Sequence, residues 1–285
     1  MFSKKLFFAL AIPACLMASS CSKSDDTAAS NNTDVAYAQD DTEASSMYDE
    51  VSSQQDEDFT SLEAANFNTT GVLKAASTNG SRTIVVDKTD SVTFPKTITI
   101  TFNNWVGSRG HIKNGKIITV ISNKRRLAGS IMTTTFDNLT IDSLKNEGTY
   151  TTTNLGNYGW NHTLVGGKIT DKNGLVFTHE FTRTRTKVEG FDTKMVADDV
   201  FLIEGNGKGT SRNGVEYTST IITPLNVSTI CPWIRAGVIK ITRTGKTDTI
   251  INYGDQVNCD NQAVVTVGDK TKTITLHRGK AASKL

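Results

Sequence analysis

From residue 81 to the end, apolar and polar positions alternate with a period of two. Ile98, Ile100 and Phe102 alternate with Thr97, Thr99 and Thr101, which predicts a strand with one buried and one solvated face. Met132, Thr134 and Phe136 alternate with Ile131, Thr133 and Thr135 in the same way. Further strand patterns cover 117–121, 150–153, 164–170, 175–186, 200–204, 215–222, 238–243, 249–253, 263–267 and 271–276. Threonine is used heavily in these runs, and its β-branched side chain suits a pleated surface. Asn114-Gly115, Asn173-Gly174 and Asn213-Gly214 are each flanked by strand patterns. Asn-Gly accepts positive φ at both central positions of a two-residue hairpin loop. A turn centred on Asn173-Gly174 places Thr170 opposite Phe177. The expected fold is all-β: a long antiparallel meander of hairpins over 81–285, curled into a sandwich or barrel to cover its apolar face.

The segment before it has another pattern. Residues 22–80 are dominated by Ser, Thr, Ala, Asn, Asp and Gln, without sustained apolar periodicity. The expectation for 21–80 is an acidic disordered tether, with an r.m.s. span on the order of 40 Å. Within it Met47, Val51, Phe59 and Leu62 admit two readings, a short amphipathic helix over roughly 44–64 or continued disorder. Charge divides the same way. Residues 22–63 hold twelve acidic residues and one lysine, whereas 64–285 hold twenty-eight Lys and Arg against seventeen Asp and Glu. A basic domain of this kind suits anionic glycan or lipopolysaccharide phosphate, with nucleic acid not expected. The plainer reading places these cations on solvent faces, where they block edge pairing.

The first twenty residues read as a lipoprotein signal peptide. Lys4 and Lys5 precede an apolar run over 6–17, too short to span a bilayer, and Leu16-Met17-Ala18-Ser19-Ser20-Cys21 closes the leader. Small residues before a cysteine form the box at which the thiol takes a diacylglyceryl group, so Cys21 is the expected lipidation site. Two or three acyl chains hold a protein on a membrane where one holds only marginally. Ser22 stands after Cys21, in place of the aspartate that retains lipoproteins at the inner membrane. Lys23-Ser24-Asp25-Asp26 resembles the acidic export tract of Bacteroidota lipoproteins, which implies the outer membrane and its external face.

A wider resemblance rests on Thr97–Phe102, Gly115-Lys116-Ile117, Gly129-Ser130, Thr135-Phe136-Asp137-Asn138, Glu147-Gly148-Thr149, Cys231-Pro232-Trp233, Tyr253-Gly254-Asp255 and Cys259-Asp260-Asn261. Over roughly 92–277 these residues resemble uncharacterised lipoproteins of Bacteroidota such as flavobacteria. The resemblance implies compartment and supplies no chemistry. Asp26-Thr27-Ala28 and Asp90-Ser91-Val92 resemble the O-glycosylation sequon of the same bacteria, which makes Thr27 and Ser91 candidate acceptors.

Candidate chemistry in the domain is sparse. Cys231 and Cys259 are the two cysteines left after Cys15 and Cys21, and export makes a disulfide the expectation. His111, His162, His179 and His277 show no metal-ligand spacing, and no GxSxG elbow or Walker loop occurs. Gly205-Asn206-Gly207-Lys208-Gly209 reads as a bulge or loop between strands. Asp255, Asn258, Asp260 and Asn261 are oxygen donors of the type calcium takes, although a turn pinned by Cys259 explains them more simply. Lys124-Arg125-Arg126 is a candidate contact for anionic glycan. The functional expectation is a non-enzymatic, membrane-anchored envelope lipoprotein with a binding or structural β domain, needing no cofactor and partnered by the membrane and by glycan or envelope protein. The alternatives are a glycan-acting hydrolase and a lipid-carrying β-barrel.

Overall fold

The structure, a computed structural model, describes residues 26–68, 73–77, 80–192, 198–255 and 258–276. Its strands run β1 Leu73–Ser77, β2 Gly80–Val86, β3 Lys96–Val106, β4 Ile112–Ile121, β5 Ile131–Ile141, β6 Leu144–Gly156 and β7 Gly159–Thr170. They continue as β8 Val176–Glu189, β9 Val200–Thr210, β10 Glu216–Ser228, β11 Ala236–Thr242, β12 Thr249–Asn252, β13 Gln262–Val267 and β14 Lys270–Thr275. All fourteen form one sheet in which each strand pairs antiparallel with its sequence neighbour. The expected meander is therefore present, with β1 and β14 at the two ends of its pairing order. The alternation at Ile98, Ile100 and Phe102 holds, since all three are buried.

The expected disordered tether is where the structure departs most from the sequence reading. A helix, α1, spans Asp26–Ala64, and β1 and β2 lie between it and β3. The sheet curls around α1. Tyr37, Asp41, Ala44, Tyr48, Val51, Gln55, Asp58 and Leu62 are all buried, alternating steps of four and three residues along one stripe. That spacing is the heptad repeat of a helix seam. The helix was hidden from hydropathy because its seam is interrupted by charged and amide side chains. Met47, Val51, Phe59 and Leu62 do lie on this buried side. They pack with Ile98, Ile100, Ile117, Met132, Leu164 and Phe177 from the sheet in one core cluster. Tyr37 and Ala38 belong to a second cluster with Tyr217, Ile241, Ile251 and Val265. Each large apolar side chain contributes about 1.5–3 kcal/mol on burial.

The turns differ from expectation in detail. Asn114-Gly115 lies inside β4, where the register slips against both neighbours. The extra residues lie in β3 and β5, so Asn114-Gly115 stands opposite two β-bulges. Gly115 has φ +88°, and a Cβ there would stand 2.2 Å from the Asn138 carbonyl oxygen. Asn173-Gly174 and Asn213-Gly214 do turn, but in longer loops than two residues. Thr170 pairs with Val176, one position short of Phe177, and Thr210 pairs with Glu216. Gly174 and Gly214, at φ +82° and +74°, each close a loop by donating to the residue three before. Among the described residues, the two-residue loops with positive φ at both positions are Asp142-Ser143 and Asn157-Tyr158. The glycines of 205–209 also lie within a strand, β9. A Cβ on Gly205 or Gly209 would come within 2.3 Å of a carbonyl oxygen of β8.

Candidate functional site

The site built by this fold is the contact between the acidic side of α1 and the inner wall of the sheet. Strand alternation places Phe177, His179, Phe181 and Arg183 of β8 on one face. The same period brings Lys113, Ile117, Thr119 and Ile121 of β4 inward. Cations therefore stand among apolar side chains along a concave wall. α1 meets them with carboxylates at helical spacing.

Near the N-terminal end, Arg212 of the β9–β10 turn donates to Asp40 through its backbone N–H at 2.8 Å and its guanidinium at 2.5 Å. The same guanidinium donates to Glu43 and lies over the Phe177 ring at 4.1 Å. Burial raises the Asp40 carboxyl above its usual range, and Arg212 only partly opposes this.

On the adjoining face of that turn, Asp41 lies 3.3 Å from His179 Nδ1, and His179 Nε2 lies 3.3 Å from Ser45 Oγ. Arg183 donates to the same Ser45 oxygen at 3.0 Å. Burial raises the Asp41 carboxyl, but His179 and Arg183 outweigh it and hold the group below its usual range. The Asp–His–Ser order is that of a nucleophile relay. Here His179 is fully buried beneath the helix that carries both its partners, and Arg183 occupies the hydroxyl oxygen. The cluster therefore works as a clamp between α1 and β8.

At the middle of the helix, Lys113 Nζ lies 2.7 Å from Glu50 and donates to Gln54 Oε1 at 2.6 Å. His111 sits between Asp142, at 2.5 Å from Nδ1, and Glu50, at 4.0 Å from Nε2. Asp142 also accepts from the Ile112 N–H. Gln55 donates to Thr119 and Thr134, each at 2.7 Å. Near the C-terminal end, Asp58 lies 2.7 Å from Arg82 and accepts from Gln54 at 3.1 Å. Burial pushes the Asp58 carboxyl up to about 6 in spite of Arg82. Arg82 stacks on Trp105 at 5.0 Å.

Arg125 lies in this contact as well. Its guanidinium donates to Asp56 and to Thr60, and its backbone N–H donates to Glu63 at 2.6 Å. This corrects the reading of Lys124-Arg125-Arg126 as one glycan patch: Arg125 holds the C-terminal part of α1, where a cation also complements the helix dipole. Lys124 and Arg126 remain exposed. They line a cavity of about 140 Å³ with Glu63, Asn66, Phe67 and Leu127. Arg183, Arg185 and Lys187 are largely withdrawn from solvent, against the plain reading of the basic domain.

The remaining expectations can be placed in turn. Cys231 and Cys259 form a disulfide with a Cα–Cα distance of 5.7 Å, joining the β10–β11 and β12–β13 connections. Ser91 is half-buried in the β2–β3 connection, beside Asp90, whose carboxylate accepts from Val92 and Thr93. The backbone of Thr27 lies in the first turn of α1. The signal peptide, Cys21 and His277 lie outside the described residues. Among the described residues no cluster of three or more His, Cys, Asp or Glu could hold a metal ion, and no helix is long and apolar enough to cross a membrane. His162 stacks on Tyr150 and lies 2.7 Å from its hydroxyl, and burial lowers its pKa to about 4.

Sequence reasoning missed nearly all of these contacts. The available signal was the pairing of an acidic segment with a basic one of equal and opposite excess, a pattern read above as solvent exposure or outside partners and not as a contact between the two segments. No family model matches the chain, and neither a curated protein nor a solved structure is similar to it.

Proposed function

We propose that this protein is a lipid-anchored envelope lipoprotein of the outer membrane, of the Bacteroidota type, whose β domain serves binding or envelope structure without catalysis. The feature that supports this reading is the leader and cysteine box ending at Cys21, and how such an anchor would hold the domain depends on α1. It begins five residues after Cys21 and is held to the sheet by side-chain contacts from Tyr37 to Leu62. The short link between Cys21 and α1 spans at most about 18 Å. A lipid on Cys21 would then hold the β domain through a rigid rod, in place of the long coil implied by composition. The exposed pair Lys124 and Arg126 is the part of the basic tract left for anionic glycan.

The test is metabolic labelling with radioactive palmitate in the native host, with membrane fractionation afterwards. The wild-type chain should take up label and sediment with outer membranes. Cys21→Ala should lose the label and leave the membrane fraction. A wild-type chain that stays unlabelled and soluble would overturn the proposal. Protease treatment of whole cells reads the external face: cleavage without lysis is the expected result.

A further inference from the structure

Tyr158 holds a costly backbone conformation without being buried. It is the second residue of the β6–β7 loop, at φ +59°, a region that bulky L residues rarely enter. Phe67 has a similar φ but is 1% exposed and packs in the first core cluster. Tyr158 is 56% exposed, so no core packing offsets its strain. Backbone strain of this kind at an exposed position points toward function. The Tyr158 ring stands edge-to-face with Phe191 at 4.9 Å between centres, and Phe191 is itself 46% exposed. The Lys187 N–H donates to the Tyr158 carbonyl at 2.9 Å, which fixes the loop against the end of β8. Lys187 Nζ lies 5.8 Å from the centre of the Phe191 ring and 2.5 Å from Asp199 Oδ1. Two rings therefore reach solvent beside a paired donor and acceptor. Glu189 and Asp192, on either side of Phe191 in the chain, are exposed acids. Connections of a meander alternate between the two ends of its sheet. The β6–β7 and β8–β9 connections thus lie at the end opposite the β9–β10 turn, where Arg212 holds Asp40 near the start of α1.

We propose that Tyr158 and Phe191 form a stacking platform for a neutral hexose oligosaccharide, with Lys187 and Asp199 as hydrogen-bonding partners for its hydroxyls. An aromatic ring presents a negative face, and the axial C–H groups of a pyranose ring present a weakly positive one, so the two surfaces match. The strained loop presets the Tyr158 ring, which lowers the ordering cost of binding. Sugar hydroxyls both donate and accept, as Asp199 and Lys187 require. Neutrality follows from the local charge. Lys187 is already balanced by Asp199, and Glu189 and Asp192 disfavour an anionic chain. Two aromatic side chains supply at most about 500 Å², short of the roughly 800 Å² that each partner gives to a stable protein interface. A bilayer reached from the start of α1 lies at the other end of the sheet. This inference rests on the binding reading of the β domain, and only its direction away from the membrane depends on an anchor at Cys21. Lys124 and Arg126 take no part in it.

The experiment uses the full chain in phosphatidylcholine nanodiscs, titrated in a calorimeter with maltohexaose, cellohexaose and the anionic hexamer of galacturonic acid. At least one neutral hexamer should bind. Phe191→Ala should weaken that binding by about tenfold or more, as expected of an aromatic anchor in an interface. Tyr158→Gly should weaken it as much while unfolding no earlier than wild type on heating, because glycine accepts the left-handed φ. That combination separates a ring kept for a ligand from a ring kept for the fold. The galacturonate hexamer should show no binding that depends on Tyr158. Binding of neither neutral hexamer, undiminished binding in Tyr158→Gly, or galacturonate binding that is lost in Tyr158→Gly would overturn the proposal. Palmitate labelling is read on the same chain, so loss of the anchor and loss of the platform are separate results.

Discussion

Lys113 shows at the scale of one residue how this interior is built. It is 1% exposed, 2.7 Å from Glu50, within reach of Gln54, and 5.8 Å from the centre of the Phe102 ring. Removing one member of a buried pair leaves the other charge without a partner, which costs more than removing both. Lys113→Ala should therefore destabilise the fold by about 3–5 kcal/mol. Glu50→Gln combined with Lys113→Met should cost less than the sum of the two single changes, with a coupling energy of about 1–3 kcal/mol. Urea denaturation of the four species of the cycle, with Lys113→Ala alongside, measures both; strictly additive effects would separate Glu50 from Lys113. Reading Asn114-Gly115 as a hairpin loop hid that Lys113 and Ile117 share one face of a single strand, and Lys116 and Lys113 look alike in sequence. Lys116 instead pairs with Asp137 at the surface, at 2.8 Å.

At the scale of the element, α1 and the bulges of β3 and β5 opposite Asn114-Gly115 show one cause of ambiguity from opposite directions. The helix was obscured because its seam reads Tyr, Asp, Ala, Tyr, Val, Gln, Asp and Leu. Only four of its strongly apolar residues gave a signal, and they gave it for 44–64 alone. The bulges were obscured because Asn-Gly supports positive φ in any tight geometry, hairpin or bulge. Space distinguishes the two cases. A Cβ on Gly174 meets nothing within 4 Å, whereas one on Gly115 meets backbone at 2.2 Å. Gly174→Ala should cost about 1 kcal/mol for its left-handed φ alone. Gly115→Ala should cost roughly twice as much or more, because the β4–β5 pairing must also shift. Thermal unfolding of the two variants decides the point, and equal losses would remove the bulges as a packing constraint.

At the scale of the whole molecule, fourteen strands in sequence order leave the sheet with long-range contacts mainly between neighbours, and two devices tie it into one body. One is α1, which reaches both core clusters. The other is the disulfide, which links two connections across a sequence separation of 28. A loop of this length contributes about 3.6 kcal/mol in the chain-entropy account. Replacing Cys231 and Cys259 by alanine should lower stability by that order, and loosen β10–β13 before β3–β8. Hydrogen exchange resolved by strand reads the order; uniform loss across the sheet would contradict it. Cysteine count and the expectation of export were enough to pair these two residues in advance.

The sequence by itself determined the strand grammar, the cysteine pair and the equal, opposite charges of its two segments. These are properties of local period and composition, and they survive any arrangement in space. The tertiary structure decided that 26–64 is helical, that Arg82, Lys113, Arg125, Arg183 and Arg212 face it, and that of three Asn-Gly pairs two make loops and one lies in a strand opposite two bulges. A helical seam that carries charge is unfavourable beside water-excluding apolar walls and favourable beside walls that carry the opposite charge. Which wall it meets depends on the curl of a sheet made from residues as far as two hundred positions away.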